Sequence, residues 1–298
     1  MREKLAWLQN IDALEAYIRI IMKISIIVPT FNRPKALKLC LLSLAEQSVL
    51  PHEVLIADDG STSDTRDTVM EMQRLLENLF TIKHVWQEDA GFRKPKILNE
   101  TVRQSTGTYL IFIDGDCMAH KDFVRAHLDR SDPNAILAGR RVDLGPRLTE
   151  KVLHNDKILN TVTPELMLDL LMQKSNHMKE AFLIKNRLLR KYLGRDRTKP
   201  PTTVFGCNFS LYRNLFLDIN GCDEDFLDGS LEDLDLGIRV TNQGKQIKSV
   251  KNLALLFHLW HPLTWAVESD KYQHNLKIIK RRTLNKEKFC KNGIKKIN

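Results

Sequence analysis

Apolar strands alternate with amphipathic helices through the first half of the chain, and this pattern constrains the fold more than any other feature. Strand-like runs occur at residues 24–28, 52–58, 81–87 and 108–114, and helical spacing of apolar residues follows them. Strands that are apolar throughout must be covered on both faces, which is typical of a parallel sheet flanked by helices. The pattern therefore predicts an α/β fold with a mostly parallel central sheet.

The remainder of the chain is organised differently. Leucines at helical spacing predict a helical insert, and sheet-like sequence returns after it. The start of the chain has the apolar spacing of an amphipathic helix. We therefore divide the chain into an N-terminal helix (1–22), a first α/β half (23–145), a helical insert (146–203), a second half (204–265) and a basic C-terminal tail (266–298).

Composition indicates a globular protein of the reducing cytoplasm. Hydrophobic residues make up 43% of the 298 residues, and charged residues 28%. We find neither an apolar run of the ~20 residues that a membrane span needs nor the pattern of a signal peptide. The five cysteines are odd in number and form no C-x-x-C motif, which argues against a disulfide framework or a structural zinc site.

The net charge of +9 is concentrated at the C-terminus. Residues 277–298 contain nine Lys/Arg and a single acid, Glu287, so this segment alone contributes +8. A nucleic-acid-binding protein would more often carry its basic residues in the folded domain that contacts the phosphates, so we expect no nucleic-acid partner. Two interpretations of the segment stay open: a solvated end, or an anchor to anionic lipid.

Two acids follow the fourth predicted strand, in the motif Asp114-Gly115-Asp116. Carboxylates two residues apart at a strand end can face one divalent cation, and oxygen ligands suit Mg²⁺ or Mn²⁺. Such a cation neutralises the charge on a departing diphosphate. The motif alone is common in exposed turns, but its position after a buried strand favours a metal site.

Two further acidic clusters have an ordinary and a functional interpretation. Residues 58–61, Asp-Asp-Gly-Ser, end the second strand. They suit either a tight turn or the binding of a base N–H or ribose hydroxyl. Glu232 and Asp233 begin a predicted helix, where acids complement the helix dipole, or where one of them acts as a general base. Asp235 faces another way on that helix and is expected to be structural.

Two histidines, His258 and His261, close the last predicted strand. A neutral imidazole here could complete the coordination of a cation held by Asp116. Histidine on an apolar strand is more often an ordinary core or surface residue, and the residues alone do not decide between these interpretations.

Several motifs, in fixed order, resemble the inverting family 2 glycosyltransferases of the GT-A fold. In the first half they are IIVPTFNRP, EVLIADDGSTSD and YLIFIDGDC. In the second half, GCNFSLYRNLFLDINGCDEDF, LEDLDLGIRVTNQG and FHLWHP are similar to the galactosyltransferase and chondroitin-polymerase branch. The resemblance implies a Rossmann-like fold in which residues 23–145 bind a nucleotide sugar and residues 204–265 bind the acceptor.

The same resemblance implies roles for individual residues on the donor side. Pro29, Thr30 and Asn32 would line the nucleobase and ribose, and Asp58 and Asp59 would contact the uracil or ribose. Arg93 and Lys94 would contact the diphosphate, and Asp114 would contact the ribose and the metal.

For the metal and the reaction, the resemblance implies that Asp116 binds Mn²⁺ or Mg²⁺ with His258, or as second choice His261. Asp233 would be the base, and Glu232 would orient the acceptor hydroxyl. Relatives commonly have a Trp-Gly or Gly-x-Gly stretch before the Glu-Asp pair, whereas residues 228–231 here are Asp-Gly-Ser-Leu. That departure puts the identity of the acceptor and of the donor sugar in doubt.

The predicted activity is transfer, with inversion, from a nucleotide-diphosphate sugar, expected to be UDP-linked, to a hydroxyl of a growing bacterial surface glycan. Lipopolysaccharide or capsule is the expected product, and a glycan or lipid-linked glycan is the acceptor. The enzyme would be cytoplasmic, or peripheral on the inner face of the membrane through residues 277–298. The alternatives are a nucleotidyltransferase and a non-catalytic nucleotide-sugar-binding protein. A nucleotidyltransferase would be expected to have a Gly-rich phosphate-binding loop near the first strand, and the sequence PTFNRP there is not such a loop.

Overall fold

The structure is a computed structural model that describes residues 22–156, 158–159, 163–172, 178–195, 204–262 and 269–297. The N-terminal helix predicted over residues 1–22 lies outside the described residues, apart from Met22. Among the described residues, no helix is long and apolar enough to cross a bilayer.

Among the described residues, ten strands form two sheets. In chain order they are β1 (Ile24–Thr30), β2 (Glu53–Asp58), β3 (Thr81–Trp86), β4 (Tyr109–Phe112), β5 (Cys117–Ala119), β6 (Ala135–Ala138), β7 (Val142–Asp143), β8 (Phe209–Tyr212), β9 (Gln246–Ser249) and β10 (Leu256–His258). The central sheet has the order β3-β2-β1-β4-β8-β6-β9, and a small sheet has the order β5-β10-β7. In the central sheet only β8 runs antiparallel to its neighbours. The prediction of a mostly parallel sheet is confirmed.

Ten α-helices lie in the described part of the chain. They are α1 (Pro34–Ala45), α2 (Ser63–Leu75), α3 (Lys94–Gln104), α4 (Phe123–Asp129), α5 (Pro146–His154), α6 (Pro164–Met172), α7 (Arg187–Tyr192), α8 (Arg213–Asp218), α9 (Glu232–Asn242) and α10 (Asp270–Leu284), with a 3₁₀ turn at Met178–Ala181. Helices α5 to α7 occupy the predicted insert, whose described residues contain no strand. Proline in the first turn helps to begin α1, α3 and α5, because its missing N–H would have no partner there.

The central strands are buried on both faces, which explains their continuous apolar sequence. Alternate residues of β1 enter different cores, since side chains alternate across a strand. Ile26 packs in the cluster that includes Leu37 and Leu41 of α1, whereas Ile27 packs in the cluster that includes Leu98 and Val102 of α3. The polar turns that follow these strands are thereby brought to one edge of the sheet.

The C-terminal segment differs from the separate tail that the sequence predicted. Helix α10 packs against α9, and Arg282 is buried between them. Its guanidinium lies 2.8 Å from Asp223 and also pairs with Asp235, which lies 2.7 Å from Arg239. Asp235 therefore has a structural role. The other eight Lys/Arg of residues 277–298 are exposed, and one buried arginine among them carries no distinguishing signal in the sequence.

We predict that Arg282→Met destabilises the fold by about 3 kcal/mol, because it leaves Asp223 and Asp235 buried without their shared cation. Urea unfolding of the full chain measures this change. Lys280→Met, on the exposed side of the same helix, should change the free energy of unfolding by less than about 0.5 kcal/mol. Equal effects of the two substitutions would contradict a structural role for the buried network.

Candidate active site and metal centre

The carboxyl ends of β1, β2 and β4 meet along one rim. The N–H of Gly115, after β4, donates to the carbonyl of Pro29 at 3.0 Å, and the N–H of Asp59, after β2, donates to the carbonyl of Thr30 at 3.1 Å. Ligands of open α/β sheets bind in the crevice outside these strand ends. The rim thus collects the polar motifs that the sequence singled out.

Asn32 joins the turn after β1 to the turn after β2. Its N–H donates to the Ser61 hydroxyl at 2.8 Å, and its side-chain oxygen accepts from the N–H of Thr62 at 2.9 Å. Its φ of 51° is left-handed, a conformation that asparagine tolerates better than most residues. Asn32 therefore shapes the pocket wall through contacts with the neighbouring turn.

The two adjacent acids after β2 have different environments. Asp58 is fully buried, and its oxygens lie 2.8 Å from His84 Nε2 and 2.8 Å from the N–H of Ser61. Burial opposes ionisation of Asp58, but these partners outweigh it and lower the pKa of this carboxyl. Asp58 thus stabilises the turn from inside. Its contact with the uracil or ribose stays a prediction.

Asp59 connects the rim to the loop that precedes α3. Its carboxylate accepts from the side chain of Gln87 at 2.5 Å and from the N–H of Arg93 at 2.9 Å. Burial raises the pKa of Asp59 above its usual value. The Arg93 guanidinium donates to the carbonyl of Glu88. Asp59 and Arg93, both expected at the nucleotide, are therefore in direct contact.

Lys94 is the central cation of the site. Its ammonium group lies 3.2 Å from Asp114 and 3.7 Å from Glu232, so it links the acid after β4 to the first residue of α9. Burial alone would lower the pKa of Lys94. The negative charges of Asp114, Glu232 and Asp233 more than compensate, and the pKa is raised.

Asp116 faces His258, the last residue of β10, and His261, which follows that strand. One of its oxygens lies 3.6 Å from His258 Nε2 and 3.2 Å from His261 Nε2. Arg33 lies 3.6 Å from the same oxygen. Burial opposes ionisation of Asp116, but the two imidazoles outweigh it and lower the pKa of this carboxyl. The structure brings together both histidines, between which the sequence could not choose.

This donor set fits a divalent cation. Ligand atoms of Asp116, His258 and His261 all lie within 4.8 Å of one another. Ligands of an octahedral cation are about 3 Å apart, so small side-chain movements would enclose an ion. One carboxylate and two imidazoles are a ligand set that can bind a divalent metal ion.

Asp143 is a residue of the site that the sequence analysis missed. It ends β7, directly beside His258 in the parallel pairing of β7 with β10. Its carboxylate lies 3.1 Å from His258 Nδ1 and 2.9 Å from Arg141 Nε. A carboxylate behind a metal-binding histidine holds the ring and its tautomer. Because β7 is two residues long, no periodic pattern reveals it.

Glu232 and Asp233 begin α9, where Glu232 is buried and Asp233 is partly buried. Leu231, just before them, has a left-handed φ of 68°, a strained conformation for leucine that turns the chain into the helix. Asp233 accepts from the N–H of Gly206 at 2.8 Å and of Leu234 at 2.7 Å, which fixes its orientation. Lys94, which lies near both Glu232 and Asp114, joins the start of α9 to the Asp114-Gly115-Asp116 turn.

Glu232 and Asp233 differ in their hydrogen-bond partners. Glu232 Oε2 is buried and accepts no hydrogen bond from the described residues, so it is available to a ligand. Burial and the neighbouring charge of Asp233 raise the pKa of Glu232 to about 7. Burial also raises the pKa of Asp233. Carboxylates with pKa values raised toward neutrality are suited to taking up a proton.

Comparison with family models gives two matches. The model described as Glycosyl transferase family 2 matches residues 25–217. The model described as N-terminal domain of galactosyltransferase matches residues 195–262. The two matches together contain every site residue named above.

Two relatives are similar over most of this chain. Validoxylamine A glucosyltransferase of Streptomyces hygroscopicus subsp. limoneus is 30% identical over 232 residues, covering 74% of this chain and 48% of the relative. Chondroitin synthase of Escherichia coli is 26% identical over 264 residues, covering 85% of this chain and 37% of the relative. The chain thus spans less than half the length of these relatives.

The fold is similar to that of a solved GT-A glycosyltransferase. The mannosyltransferase PcManGT from Pyrobaculum calidifontis, in complex with GDP-Man and Mn²⁺, superposes with a TM-score of 0.58 at 17% identity. The superposition covers 90% of this chain and 69% of the mannosyltransferase. At this identity the likeness shows the fold.

We predict that Asp143→Ala weakens Mn²⁺ binding by about 10- to 100-fold, because His258 loses the carboxylate that holds its ring. Electron paramagnetic resonance of free Mn²⁺ measures the affinity without any need for turnover. The control is Asp129→Ala, an exposed acid at the end of α4, which should leave the affinity unchanged. An unchanged affinity in Asp143→Ala would contradict the supporting role.

Proposed function

The chain belongs to glycosyl transferase family 2, and from this membership we propose that it is an inverting, metal-dependent enzyme that moves a sugar from a UDP-linked donor to a hydroxyl of a glycan. The observation that carries the proposal is the arrangement on the rim. A carboxylate and two imidazoles lie within 4.8 Å of one another, and Lys94 links the Asp114 turn beside them to a Glu-Asp pair in which Glu232 is buried and Asp233 is partly buried. A transfer reaction needs both a place for a diphosphate and a base.

The donor half of the proposal assigns Mn²⁺ or Mg²⁺ to Asp116, His258 and His261, with Asp114 beside them. When bound, the cation neutralises the charge that builds on the leaving diphosphate. Arg33 lies next to this position and adds a second positive charge for the phosphates. Pro29, Thr30, Asn32 and Asp59 are proposed to line the nucleobase and ribose, and the choice of UDP rests on the sequence resemblance.

The proposed reaction is a single displacement. The acceptor hydroxyl gives its proton to Asp233, and its oxygen forms a bond to the anomeric carbon. The bond from that carbon to the diphosphate oxygen breaks on the opposite face, and its electron pair leaves with the diphosphate. The anomeric centre therefore inverts. Hydrogen bonds from Gly206 and Leu234 hold Asp233 in position for this transfer.

Glu232 is proposed to orient the acceptor. Its Oε2 can accept a hydrogen bond from the acceptor hydroxyl or from a neighbouring hydroxyl. Lys94, 3.7 Å from the other oxygen, holds the side chain toward the cleft. With a pKa of about 7 for Glu232, the pair need not carry two full negative charges at neutral pH.

We further propose that the acceptor is a growing bacterial surface glycan, such as lipopolysaccharide or capsule, and that it is lipid-linked. The chain would then act in the cytoplasm, at the inner face of the membrane. A relative named chondroitin synthase supports a polysaccharide product. Neither the family match nor the arrangement of the rim favours a nucleotidyltransferase or a non-catalytic binding protein.

We predict that a panel of nucleotide sugars, analysed by mass spectrometry, identifies one UDP-sugar that the protein hydrolyses slowly or transfers. EDTA should stop the reaction, because the diphosphate loses its counter-charge, and added Mn²⁺ or Mg²⁺ should restore it. Turnover at full rate in chelator would remove the cation from the reaction. Transfer of a nucleotidyl group in place of the sugar would contradict the proposed activity itself.

We predict that Asp233→Asn lowers kcat by about 10²- to 10⁴-fold while donor affinity is retained, because an amide cannot take the proton. Glu232→Gln should lower kcat less and raise the KM for the acceptor. The exposed Asp218→Asn, at the end of α8, is the matched control. If Glu232→Gln were inactive and Asp233→Asn active, the two roles would be exchanged.

A further inference from the structure

The outward side of α10 combines positive charge with exposed apolar surface. Lys280 and Arg281 lie three and four residues after Lys277, and Leu284 lies four and three residues after them, which places all four on one face of the helix. All four are exposed, and the side chain of Leu284 is 81% exposed. Leu284 therefore does not pack in the hydrophobic core.

Exposed basic and apolar side chains also occur in the segment that follows the helix. Lys286, Lys288 and Lys291 are exposed there, and so is Phe289, with 48% of its surface accessible. We call the set of side chains in this region the basic face; its members are Lys277, Lys280, Arg281, Leu284, Lys286, Lys288, Phe289 and Lys291. The neighbouring acid, Glu287, is already paired with Arg281 and Arg282.

The opposite side of α10 holds the basic face in place. Asn275, Ile278, Ile279 and Arg282 are buried against the body of the protein. After the helix, Cys290 is buried, and Asn220 donates to the carbonyls of Cys290 and Lys295 at 2.8 Å each. The basic face is therefore presented by a packed helix and needs no ordering when it meets a partner.

We propose that the basic face docks this protein on an anionic lipid bilayer. Lysines beside an anionic membrane are attracted to the headgroups, while leucine and phenylalanine among them enter the boundary of the acyl chains. RNA or DNA would complement the lysines but would offer no apolar phase to Leu284. A bilayer complements both the basic and the apolar side chains, and it is therefore the binding partner that we assign to this surface.

Helix α10, which carries much of the basic face, is connected by hydrogen bonds and ion pairs to α9 and to the residues just before it. Asn275 of α10 donates to the carbonyl of Ser230 at 3.0 Å, two residues before Glu232. Arg282 pairs with Asp235, two residues after Asp233. Docking would therefore hold the cleft near the bilayer surface, which extends the proposed function, because a lipid-linked acceptor lies there.

Co-sedimentation of the full chain with vesicles tests the docking without any transfer reaction. The protein should bind vesicles of phosphatidylglycerol and phosphatidylethanolamine, should not bind phosphatidylcholine vesicles, and should be released by salt. Replacing Lys277, Lys280, Lys288 and Lys291 with Gln should weaken binding at least about tenfold. Leu284→Gln with Phe289→Gln should also weaken it, although the net charge is unchanged.

The matched control replaces four exposed basic residues elsewhere, Lys23, Arg66, Lys121 and Arg125, with Gln. It removes the same charge and should bind as the unmodified protein does. Equal loss in the control, no binding by the unmodified protein, or tighter binding to an RNA homopolymer or an acidic protein than to the vesicles would overturn the proposal. If vesicle binding fails while sugar transfer in solution persists, only the docking is wrong; loss of transfer with intact docking would instead contradict the proposed function.

Discussion

The arrangement of the site depends on the contacts of the Lys94 ammonium group, which is partly buried. Asp114 is distant in the chain from the Glu232-Asp233 pair, and three acids gathered at one place would repel one another. Lys94 lies 3.2 Å from Asp114 and 3.7 Å from Glu232, and their charges keep it protonated despite its burial. It thereby joins the end of β4, near which we propose the cation, to the start of α9, which carries the proposed base.

Much of the fold could be predicted because its determinants are local. The apolar runs that became β1, β2 and β4 are continuous, and this pattern requires cover on both faces. Once those strands are parallel neighbours, their carboxyl ends must share an edge. The convergence of Asn32, Asp59 and Asp116 on one rim thus follows from the sequence without any knowledge of long-range contacts. The roles of these residues toward a ligand stay predictions.

What could not be predicted depends on contacts between distant residues. The two-residue strand that places Asp143 beside His258 is too short to have a period. Asp58 and Asp59 are indistinguishable in sequence, yet one faces inward to His84 and the other contacts the loop before α3. Arg282 is one cation in a basic run, and only its partners Asp223 and Asp235 distinguish it from its exposed neighbours. Neither periodicity nor composition records such pairings.

The central claim is that one cation and one nucleotide diphosphate share the rim formed by these residues. Anomalous diffraction from crystals grown with Mn²⁺ and UDP tests it most directly. The account predicts one strong manganese peak in contact with the Asp116 carboxylate and with His258, His261 or both, and with the diphosphate on its other side. A manganese ion bound elsewhere, or a nucleotide that lies away from the ends of β1, β2 and β4, would contradict it.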